Sequence, residues 1–334
     1  MHRPPTGTIF SSGSSFSVPD AGCGVTVGNF DGVHAGHRAI VSRLREVAQP
    51  LGLPAVAVTF DPHPAALLRP DGPPPPLMAM RQRVETLLGI GLDAVVVLDT
   101  TPALLALTAV AFYDEVLRGC LQAAAIVEGP NFHFGAGRQG TVEQLRDWSS
   151  RDGLGFAVVP PVLVAGEPVS SSRIRRLLAA GDVMAAAELL SAPYAISGTV
   201  VHGQKRGASI GFPTANLGGV NTLLPKDGVY AGVATTATGQ QFPAAIHIGR
   251  NLTFAATTPT VEVHLIGFAG DLYGQPLEVV FADRLRATQQ FSGVEALTLQ
   301  LRQDVAAAST GAAGLIGAAV AAERRALTVT RISG

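Results

Sequence analysis

A strand that breaks at a glycine and resumes as a helix is the feature of this sequence that most restricts its fold. The β-branched run Val25–Val27 predicts a short strand that ends at Gly28, and apolar residues at helical spacing resume from about Arg38. Two histidines, His34 and His37, lie where loop becomes helix. Such a junction points backbone N–H groups at whatever binds there, and the helix dipole favours anions.

The residues around this junction favour a phosphate-binding loop over an ordinary turn. Gly32 and Gly36 give the backbone room to approach a ligand, and Asn29 and Asp31 add polar groups. Two imidazole N–H donors at the mouth of a helix suit a phosphate whose charge rises in a transition state. The stretch therefore predicts a nucleotide-handling site.

The first half of the chain alternates predicted strands with predicted helices. This alternation predicts βαβ units, a parallel sheet with right-handed crossovers, and ligand binding beyond the carboxyl ends of the strands. Polar clusters follow several of these strands, including the glycine-rich loop 131–140. The predicted strands after the first are residues 54–60, 93–98, 123–127 and 156–159, and the predicted helices are residues 81–88, 108–117 and 142–150.

A serine-rich segment at residues 169–175 opens another predicted helix. Ser171, Ser172 and the arginines that follow, including Arg175, lie in its first turn, where hydroxyl and guanidinium groups can hold phosphates. Arginine near a helix N-terminus is unfavourable for the helix dipole, and this local conflict indicates a bound anion. A capped surface helix with solvated charges is the alternative.

Beyond Pro193 the pattern changes to short alternating strands. Turn residues separate them at the spacing of a small antiparallel barrel. The fold class predicted for the whole chain is α/β: an N-terminal parallel-sheet, Rossmann-like domain and a C-terminal small antiparallel β-barrel domain with a terminal helix. The predicted barrel strands are residues 196–202, 229–235, 244–248, 261–268 and 277–281.

A glycine-rich stretch after the first barrel strand has the composition of a second phosphate site. Its glycines let backbone N–H groups curl around an anion, and a lysine adds a positive charge. A hydroxyl and an amide oxygen at its end suit Mg²⁺ that also binds phosphates. The residues concerned are Gly203, Lys205, Gly207 and Gly211, with Thr214 and Asn216 as the metal ligands.

One barrel strand carries a carboxylate on the face opposite its apolar residues. The alternation around Glu262 places Val261 and Val263 on one face and Glu262 with His264 on the other. From periodicity alone, Glu262 either faces solvent or enters a pocket, and exposure is the commoner outcome.

Length and composition limit the classes of function. A chain of 334 residues predicts two domains, and we expect a disordered lead-in at 1–20, domains at 21–190 and 191–308, and a tail at 309–334 that is an appended helix and strand or disordered. The net charge of −1 gives no broad basic field for nucleic acid, and no apolar run is long enough to span a membrane. Two cysteines fit a reducing cytoplasm. The sequence leaves open whether the chain forms a homo-oligomer.

Four motifs of the first half resemble one known family. They are G-N-F-D-G-V-H-x-G-H, T-F-D-P-H-P, N-F-x-F-G and V-S-S-S-R-I-R, and they occur in that family's order. They resemble the FMN adenylyltransferase half of the prokaryotic bifunctional riboflavin kinase/FAD synthetases, which belongs to the H-x-G-H nucleotidyltransferases. The resemblance implies adenylyl transfer from ATP to FMN, giving FAD and pyrophosphate with no covalent enzyme intermediate.

The same resemblance implies roles for single residues. His34 and His37 would be catalytic and hold the α- and leaving phosphates. Ser171, Ser172 and Arg175 match the family's phosphate motif, in which threonine often replaces Ser172. The implied ATP site of this half comprises Gly28, Asn29, Phe30, Asp31, His34, His37, Asn131, Ser171, Ser172 and Arg175.

Motifs of the second half resemble the riboflavin kinase module of the same family. They are G-x-K-R-G-x-x-x-G-F-P-T-A-N, K-D-G-V-Y, V-E-V-H and D-L-Y-G. The implied reaction converts ATP and riboflavin to FMN and ADP. Glu262 matches the general base that takes a proton from the terminal ribityl hydroxyl, and Arg286 resembles an arginine near the flavin. Thr214 and Asn216 match the Mg²⁺–ATP site, which includes the phosphate loop described above.

The resemblance covers about residues 23–308, with some departures. His133 stands where an arginine or another residue is usual, His247 where a small or amide residue is more common, and Leu252 replaces a proline. Two alternatives therefore accompany the bifunctional enzyme: a paralogue active in one half or on a modified flavin, and a flavin- or nucleotide-binding protein without turnover. The retained Glu262 argues against the second, because binding alone needs no base.

Overall fold

The computed structural model describes residues 6–12, 16–203, 207–250, 259–316 and 327–332. These residues fall into two compact units. The first holds the chain up to Ser170 together with residues 327–332, and the second begins at Ser171. Within the described residues, no helix has the length and apolar character needed to cross a membrane.

The strands occupy both units. In chain order they are β1 Gly7–Ser12, β2 Cys23–Val27, β3 Ala55–Asp61, β4 Ala94–Asp99, β5 Ala123–Glu128, β6 His133–Phe134, β7 Gly140–Thr141, β8 Gly155–Val158, β9 Leu163–Val164, β10 Glu167–Pro168, β11 Ala195–Val201, β12 Ala215–Gly218, β13 Gly228–Thr236, β14 Gln241–Arg250, β15 Pro259–Leu265, β16 Pro276–Arg286 and β17 Leu327–Ile332.

The helices lie between these strands. They are α1 Ala35–Ala48, α2 Ala65–Leu68, α3 Met80–Gly89, α4 Pro102–Leu105, α5 Ala109–Ala111, α6 Val142–Arg151, α7 Ser171–Ala180, α8 Val183–Leu190 and α9 Val294–Ala312. A π-helix at Phe112–Cys120 continues α5, and short 3₁₀ turns lie at Gln49–Leu51, Ala136–Arg138 and Ala208–Ile210.

The first unit is built on a sheet with the strand order β17-β1-β4-β3-β2-β5-β8. Strands β2, β3, β4, β5 and β8 pair in parallel, which confirms the predicted parallel sheet. Strand β1 pairs antiparallel with both of its neighbours, β4 and β17. The strands read as continuous apolar runs because both faces of the sheet are covered. Val56 and Val58 belong to one core cluster, and Ala55 and Ala57, which point to the other face, belong to another.

The order of the strands creates a switch point between β2 and β5. From β2 the chain proceeds outward through β3 and β4, whereas β5 and β8 lie on the other side of β2. The β2–β5 ladder ends at the pair Val25 and Ile126, while β2 stays paired with β3 as far as Val27 and Val58. In open α/β sheets, ligands bind in the crevice at such a point.

The expectation of a disordered lead-in at residues 1–20 is wrong for residues 7–12. These residues form β1, which pairs with β4 on one side and with β17 on the other. Its Thr8-Ile9-Phe10 core has the β-propensity of a strand, and Ile9 is buried. Pairing with β4 therefore outweighs the Ser/Gly/Pro-rich character of the surrounding sequence. In the predicted tail, residues 327–332 form β17 of the same sheet.

The second unit contains a closed barrel with the strand order β11-β12-β15-β14-β13-β16. This confirms the predicted antiparallel barrel, with one strand more than the sequence indicated. The additional strand, Ala215–Gly218, is short and begins inside the T-A-N motif that we read as a binding loop. Helix α9 packs against β13, β14 and β16 and extends to Ala312, four residues beyond the predicted boundary at 308.

Helices α7 and α8 group with the barrel. The sequence predicted a domain boundary between residues 190 and 191, whereas the compact units divide between Ser170 and Ser171. Within the second unit, α7 contacts α8, and α8 packs against β16. The boundary at 190/191 was drawn from the change of periodicity at Pro193, and it stays a prediction.

Candidate active sites

The loop after β2 is held in a strained, buried conformation. Phe30 and Val33 have positive φ angles of 47° and 41°, which non-glycine residues adopt rarely, and both side chains lie in the core. The N–H of Gly28 donates to the carbonyl of Val58 on β3. Sharp bends of this kind persist only where surrounding packing stabilises them.

The two histidines of the loop lie in contact. The rings of His34 and His37 are stacked with centroids 3.7 Å apart, and the edge of Phe30 meets the His37 ring at 5.2 Å. His34 is the N-cap of α1, and its Nδ1 accepts the backbone N–H of His37 at 3.4 Å. Helix α1 therefore begins at Ala35, three residues before the predicted start. A Cβ atom at Gly36 would lie 3.2 Å from the His34 ring, which explains the glycine between the histidines.

Both imidazoles are neutral at pH 7. Burial lowers the pKa of His34 to about 4. The His37 ring is surrounded by enough protein that desolvation, reinforced by His34 and Arg83, holds its pKa well below the usual value, although the residue keeps some exposed surface. The N-cap bond occupies Nδ1 of His34, so its proton lies on Nε2. His37 Nδ1 is buried without a hydrogen-bond partner among the described residues. Neutral imidazole N–H groups are suitable hydrogen-bond donors for a phosphate ligand.

Asp31 supports the loop from inside. Its carboxylate accepts the N–H of Leu77 at 3.0 Å and pairs with Arg83 Nη2 at 3.1 Å, and both charged side chains are less than 8% exposed. Arg83 also donates to the carbonyl of Asn29 at 2.9 Å. The carboxylate that the sequence assigned to ATP binding thus also stabilises the fold of the loop. The sequence placed Arg83 in a helix without giving it a role.

A buried carboxyl group that the sequence analysis missed lies at the switch point. Glu128 ends β5, is 2% exposed, and its Oε1 accepts the N–H of Val27 at 2.6 Å. Burial raises its pKa well above the ordinary value, while the bond from Val27 and the nearby Thr26 hydroxyl act in the opposite direction. A charged residue at the end of the apolar run Ala123–Val127 was the available signal.

The loop after β5 brings Asn131 to the same edge of the sheet. Asn131 is exposed, and the turn that carries it is closed by a bond from Phe132 N–H to the Gly129 carbonyl. Phe132 and Phe134 stack at 5.4 Å and anchor the loop. His133 is exposed and its Nδ1 lies 3.3 Å from the Gly140 carbonyl. Since β2 and β5 are neighbours, Asn131 and the two histidines follow adjacent strands at the switch point.

The predicted serine–arginine motif opens α7 in the second unit. Ser171 is the first residue of the helix, Ser172 is exposed, and Arg175 is half-buried one turn later.

A row of paired residues crosses the barrel. Asn216 pairs with Glu262, Glu262 pairs with His247, His247 pairs with Val229, and Val229 pairs with Arg286. Residues opposite each other on antiparallel strands point to the same face. The barrel thus aligns three of the predicted site residues, Asn216, Glu262 and Arg286, which the sequence separates by up to 70 positions.

This row, apart from Asn216, borders a cavity of about 350 Å³. The periodicity left Glu262 either exposed or in a pocket, and the structure places it in this one. Thr214, His247, His264 and Arg286 line the same cavity. Its remaining lining residues are Gly207, Ile210, Phe212, Val229, Ala245, Thr288, Gln289, Phe291, Leu297, Leu301, Asp304 and Val305.

Arg286 lines this cavity and is held in place by a residue of α9. Its guanidinium forms a two-pronged pair with Asp304, with Nε–Oδ1 at 2.9 Å and Nη2–Oδ2 at 2.7 Å, and lies over the Phe291 ring. Asp304 is 4% exposed and also accepts from Gln300 at 3.0 Å. Asp304 was not identified from the sequence, although its position on a helical pattern is compatible with burial.

The glycines of the second phosphate loop allow close backbone packing. A Cβ atom at Gly203 would lie 2.2 Å from the Asn216 amide, and one at Gly207 would lie 2.3 Å from the Phe212 carbonyl. Gly211 has a φ angle of 88°, which favours glycine. Lys205 and Leu252 lie outside the described residues.

Thr214 and Asn216 offer a hydroxyl and an amide oxygen, the hard ligands that Mg²⁺ accepts. Among the described residues there is no cluster of three or more His, Cys, Asp or Glu side chains that could hold a metal ion. A magnesium ion bound here would therefore depend on phosphate oxygens and water for its other ligands, which is its usual behaviour in nucleotide sites.

Comparison with known proteins gives matches over both units. A family model described as FAD synthetase matches residues 17–173, and one described as riboflavin kinase matches residues 190–311. The bifunctional riboflavin kinase/FMN adenylyltransferase of Pseudomonas fluorescens is 41% identical, covering 87% of this chain and 94% of that protein. The proteins of the same description from Escherichia coli K12 and Bacillus subtilis 168 are 36% and 33% identical, covering 86% and 84% of this chain and 92% and 89% of theirs.

A solved structure also aligns with most of this chain. A crystal structure described as a macrolide-efflux protein from Streptococcus pneumoniae aligns with a TM-score of 0.78 and 32% identity, covering 86% of this chain and 94% of that one. The similarity supports the arrangement of a mostly parallel sheet followed by a six-stranded barrel and a helix.

Proposed function

The chain belongs to the bifunctional riboflavin kinase/FMN adenylyltransferase family and has both transferase activities, and we propose that each of its two units contains one of the active sites. Riboflavin kinase phosphorylates riboflavin with ATP to give FMN and ADP. FMN adenylyltransferase then joins FMN to the adenylyl group of a second ATP, giving FAD and pyrophosphate. The loop around His34 and His37 carries out the second reaction, and the barrel cavity around Glu262 carries out the first.

The register of Glu262 is the observation that carries the kinase proposal. Glu262 lines a cavity of about 350 Å³, which is within the size range of small-molecule sites, and it pairs across strands with Asn216. In the proposed reaction, Glu262 accepts the proton of the terminal ribityl hydroxyl, whose oxygen attacks the γ-phosphorus of ATP while ADP leaves. Positioning of the two substrates and neutralisation of phosphate charge supply most of the rate.

Thr214 and Asn216 would hold Mg²⁺, with the glycines of the phosphate loop and Lys205 around the ATP phosphates. The packing of Gly203 against the Asn216 amide supports this assignment, because it joins the loop to one of the oxygen donors. When bound, the metal ion supplies positive charge to the transferring phosphoryl group. Arg286, fixed by Asp304, forms the flavin side of the cavity. ATP as co-substrate is compatible with the expected cytoplasmic location.

In the adenylyltransferase reaction a phosphate oxygen of FMN attacks the α-phosphorus of ATP, and pyrophosphate leaves. Neutral His34 and His37 donate N–H groups to the phosphate oxygens as their charge rises, which is the type of stabilisation that contributes most in such reactions. Gly28 and Asn29 are proposed to line the ATP site, and Asn131 to contribute its side-chain amide. Ser171, Ser172 and Arg175 match the phosphate motif of the family. Phe30 packs against His37, and Asp31 holds the loop through Arg83.

Two substitutions test the assignment of reactions to sites. Glu262→Gln keeps the shape of the side chain and removes the base, so FMN formation should fall by about 10² to 10⁴-fold while FMN is still converted to FAD. His34→Ala removes one donor, so FAD formation should fall by about 10² to 10³-fold while FMN formation continues. Chromatography of flavins after incubation with ATP, Mg²⁺ and either riboflavin or FMN measures both. FMN production at the wild-type rate by Glu262→Gln would refute the kinase site.

A further inference from the structure

His247 lies beside the proposed base of the kinase site. It is on β14, directly opposite Glu262 on β15. Paired residues of antiparallel strands have Cβ atoms about 4.5 to 5.5 Å apart and project on the same side of the sheet. The side chains of His247 and Glu262 therefore start from neighbouring positions on the same face of the sheet.

Both side chains line the same cavity. His247 is half-buried in its wall, with Thr288 nearby. A Cβ atom at Gly249 would lie 2.8 Å from Cε1 and Nε2 of the His247 ring, so the ring lies along the strand over a position that only glycine leaves open. The chain thus provides space for an imidazole at this point of the cavity.

Burial keeps the imidazole of His247 neutral at pH 7. Burial is the largest effect and lowers its pKa, and Arg286 acts in the same direction. Glu262, Asp227 and Asp304 act in the opposite direction and do not outweigh burial. A neutral imidazole has one N–H donor and one nitrogen acceptor, which matches a hydroxyl group that can both accept and donate.

We propose that His247 hydrogen-bonds a ribityl hydroxyl next to the one that is phosphorylated, and that it thereby selects flavins with a polyhydroxylated side chain. The inference rests on the proposed role of Glu262. If the terminal hydroxyl reaches Glu262, the neighbouring hydroxyl lies one carbon further along the ribityl chain. His247 occupies the position paired with Glu262 on the adjacent strand, on the same face of the sheet. A buried polar group that loses its substrate partner costs binding energy, so such a contact discriminates against flavins that lack the hydroxyl.

The test compares two substrates in wild type and in His247→Ala. One substrate is riboflavin, and the other is a flavin with a 5-hydroxypentyl chain, which keeps the terminal hydroxyl and lacks the others. His247→Ala should lower kcat/KM for riboflavin about tenfold, the effect of losing one hydrogen bond, and change kcat/KM for the analogue by less than about twofold. Equal reductions for both substrates would overturn the proposal.

Matched variants separate selection from general damage to the barrel. His202→Asn alters another histidine of the second unit, whose ring contacts the Tyr273 ring at a tilt with centroids 4.0 Å apart and does not line the cavity. It should leave the ratio of the two kcat/KM values unchanged, and a changed ratio would count against His247 as the origin of the selectivity. If His247→Ala does not fold, His247→Asn serves in its place. Its shorter amide keeps a donor, so it should lower the preference for riboflavin relative to wild type without abolishing it, and an unchanged preference would count against the proposal.

A failure of the proposed role of Glu262 can be distinguished from a failure of the proposed role of His247. Glu262→Gln should abolish phosphorylation of both flavins equally, and an unchanged rate would refute Glu262 as the base. In that case the ratio of dissociation constants for the two flavins, measured from quenching of flavin fluorescence, decides the role of His247. A ratio that falls about tenfold in His247→Ala supports it, and an unchanged ratio refutes it.

Discussion

The carboxylate of Glu128 accepts the backbone N–H of Val27 at 2.6 Å, at the point where β2 and β5 cease to pair. At the switch point, the side chain of Glu128 thus accepts the hydrogen bond that a backbone carbonyl of a paired strand would otherwise accept. Gly28, the first residue of the histidine loop, follows Val27 directly, so this bond fixes the start of the proposed adenylyltransferase site.

Glu128→Gln should make the protein relatively more stable at high pH. The pKa of Glu128 is raised in the folded state, so stability from this group is present below its unfolded pKa and is lost as pH rises through its folded pKa. Glutamine keeps an oxygen acceptor for Val27 and cannot ionise. Urea unfolding at pH 5 and pH 8 measures the difference. Glu128→Val, which removes the acceptor, should be less stable than Glu128→Gln by about 1 to 3 kcal/mol; equal stabilities would contradict the role of the bond.

His34→Asn should reduce the loss of stability at acid pH. The pKa of His34 is lowered in the folded state from 6.5 to about 4. The unfolded chain therefore binds the proton first, and stability falls as pH decreases from about 6.5 to about 4. At about 1.4 kcal/mol per unit, this shift corresponds to about 3 kcal/mol. Thermal unfolding between pH 4 and 7 tests it, with His133→Asn, an exposed histidine of the same unit, as control. An identical pH slope in His34→Asn and wild type would contradict the prediction.

Asp31→Asn should destabilise the histidine loop through Arg83. Removing one partner of a buried ion pair leaves the other charge uncompensated and costs about 3 to 5 kcal/mol. FAD formation should fall with stability because Arg83 also holds the carbonyl of Asn29. The double variant Asp31→Asn/Arg83→Met should recover part of the loss, as measured by a double-mutant cycle in urea. Additive losses would show that the two side chains do not act as a pair.

Arg286→Lys should weaken riboflavin binding more than turnover. Lysine keeps the charge but cannot form the two-pronged contact with Asp304 or lie flat over Phe291. The cavity wall loosens on the flavin side, so KM for riboflavin should rise by about tenfold, with kcat within about threefold of wild type. Steady-state kinetics of FMN formation provides the measurement. A fall in kcat at constant KM would instead place Arg286 in the chemical step.

The sequence predicted the elements whose signal is local. The apolar runs of β2 to β5 and the alternation of the barrel strands are visible in short windows, and the histidine motif marks the start of α1. Strand β12 was missed because its four residues overlap a motif that suggested a loop. Strand β1 was missed because its partners, β4 and β17, are far away in sequence and composition alone favoured disorder.

Roles that depend on pairing across the fold were not available from motifs. Asp31 belongs to a motif that implies nucleotide contact, yet its carboxylate pairs with Arg83, 52 positions away. The partnership of Glu262 with His247 follows from the register of β14 and β15, which periodicity does not determine. Sequence patterns show which residue types are present on a face, whereas the register shows which of them meet.

The position of β1 between β4 and β17 has a consequence for synthesis of the protein. On a ribosome, β4 and β1 emerge early, but β17 follows only after the whole second unit has been translated, on the order of ten seconds later. During that interval β1 lacks its outer neighbour, and an unpaired strand edge is open to association with other nascent chains. The unit that is translated first is therefore the one whose sheet is completed last.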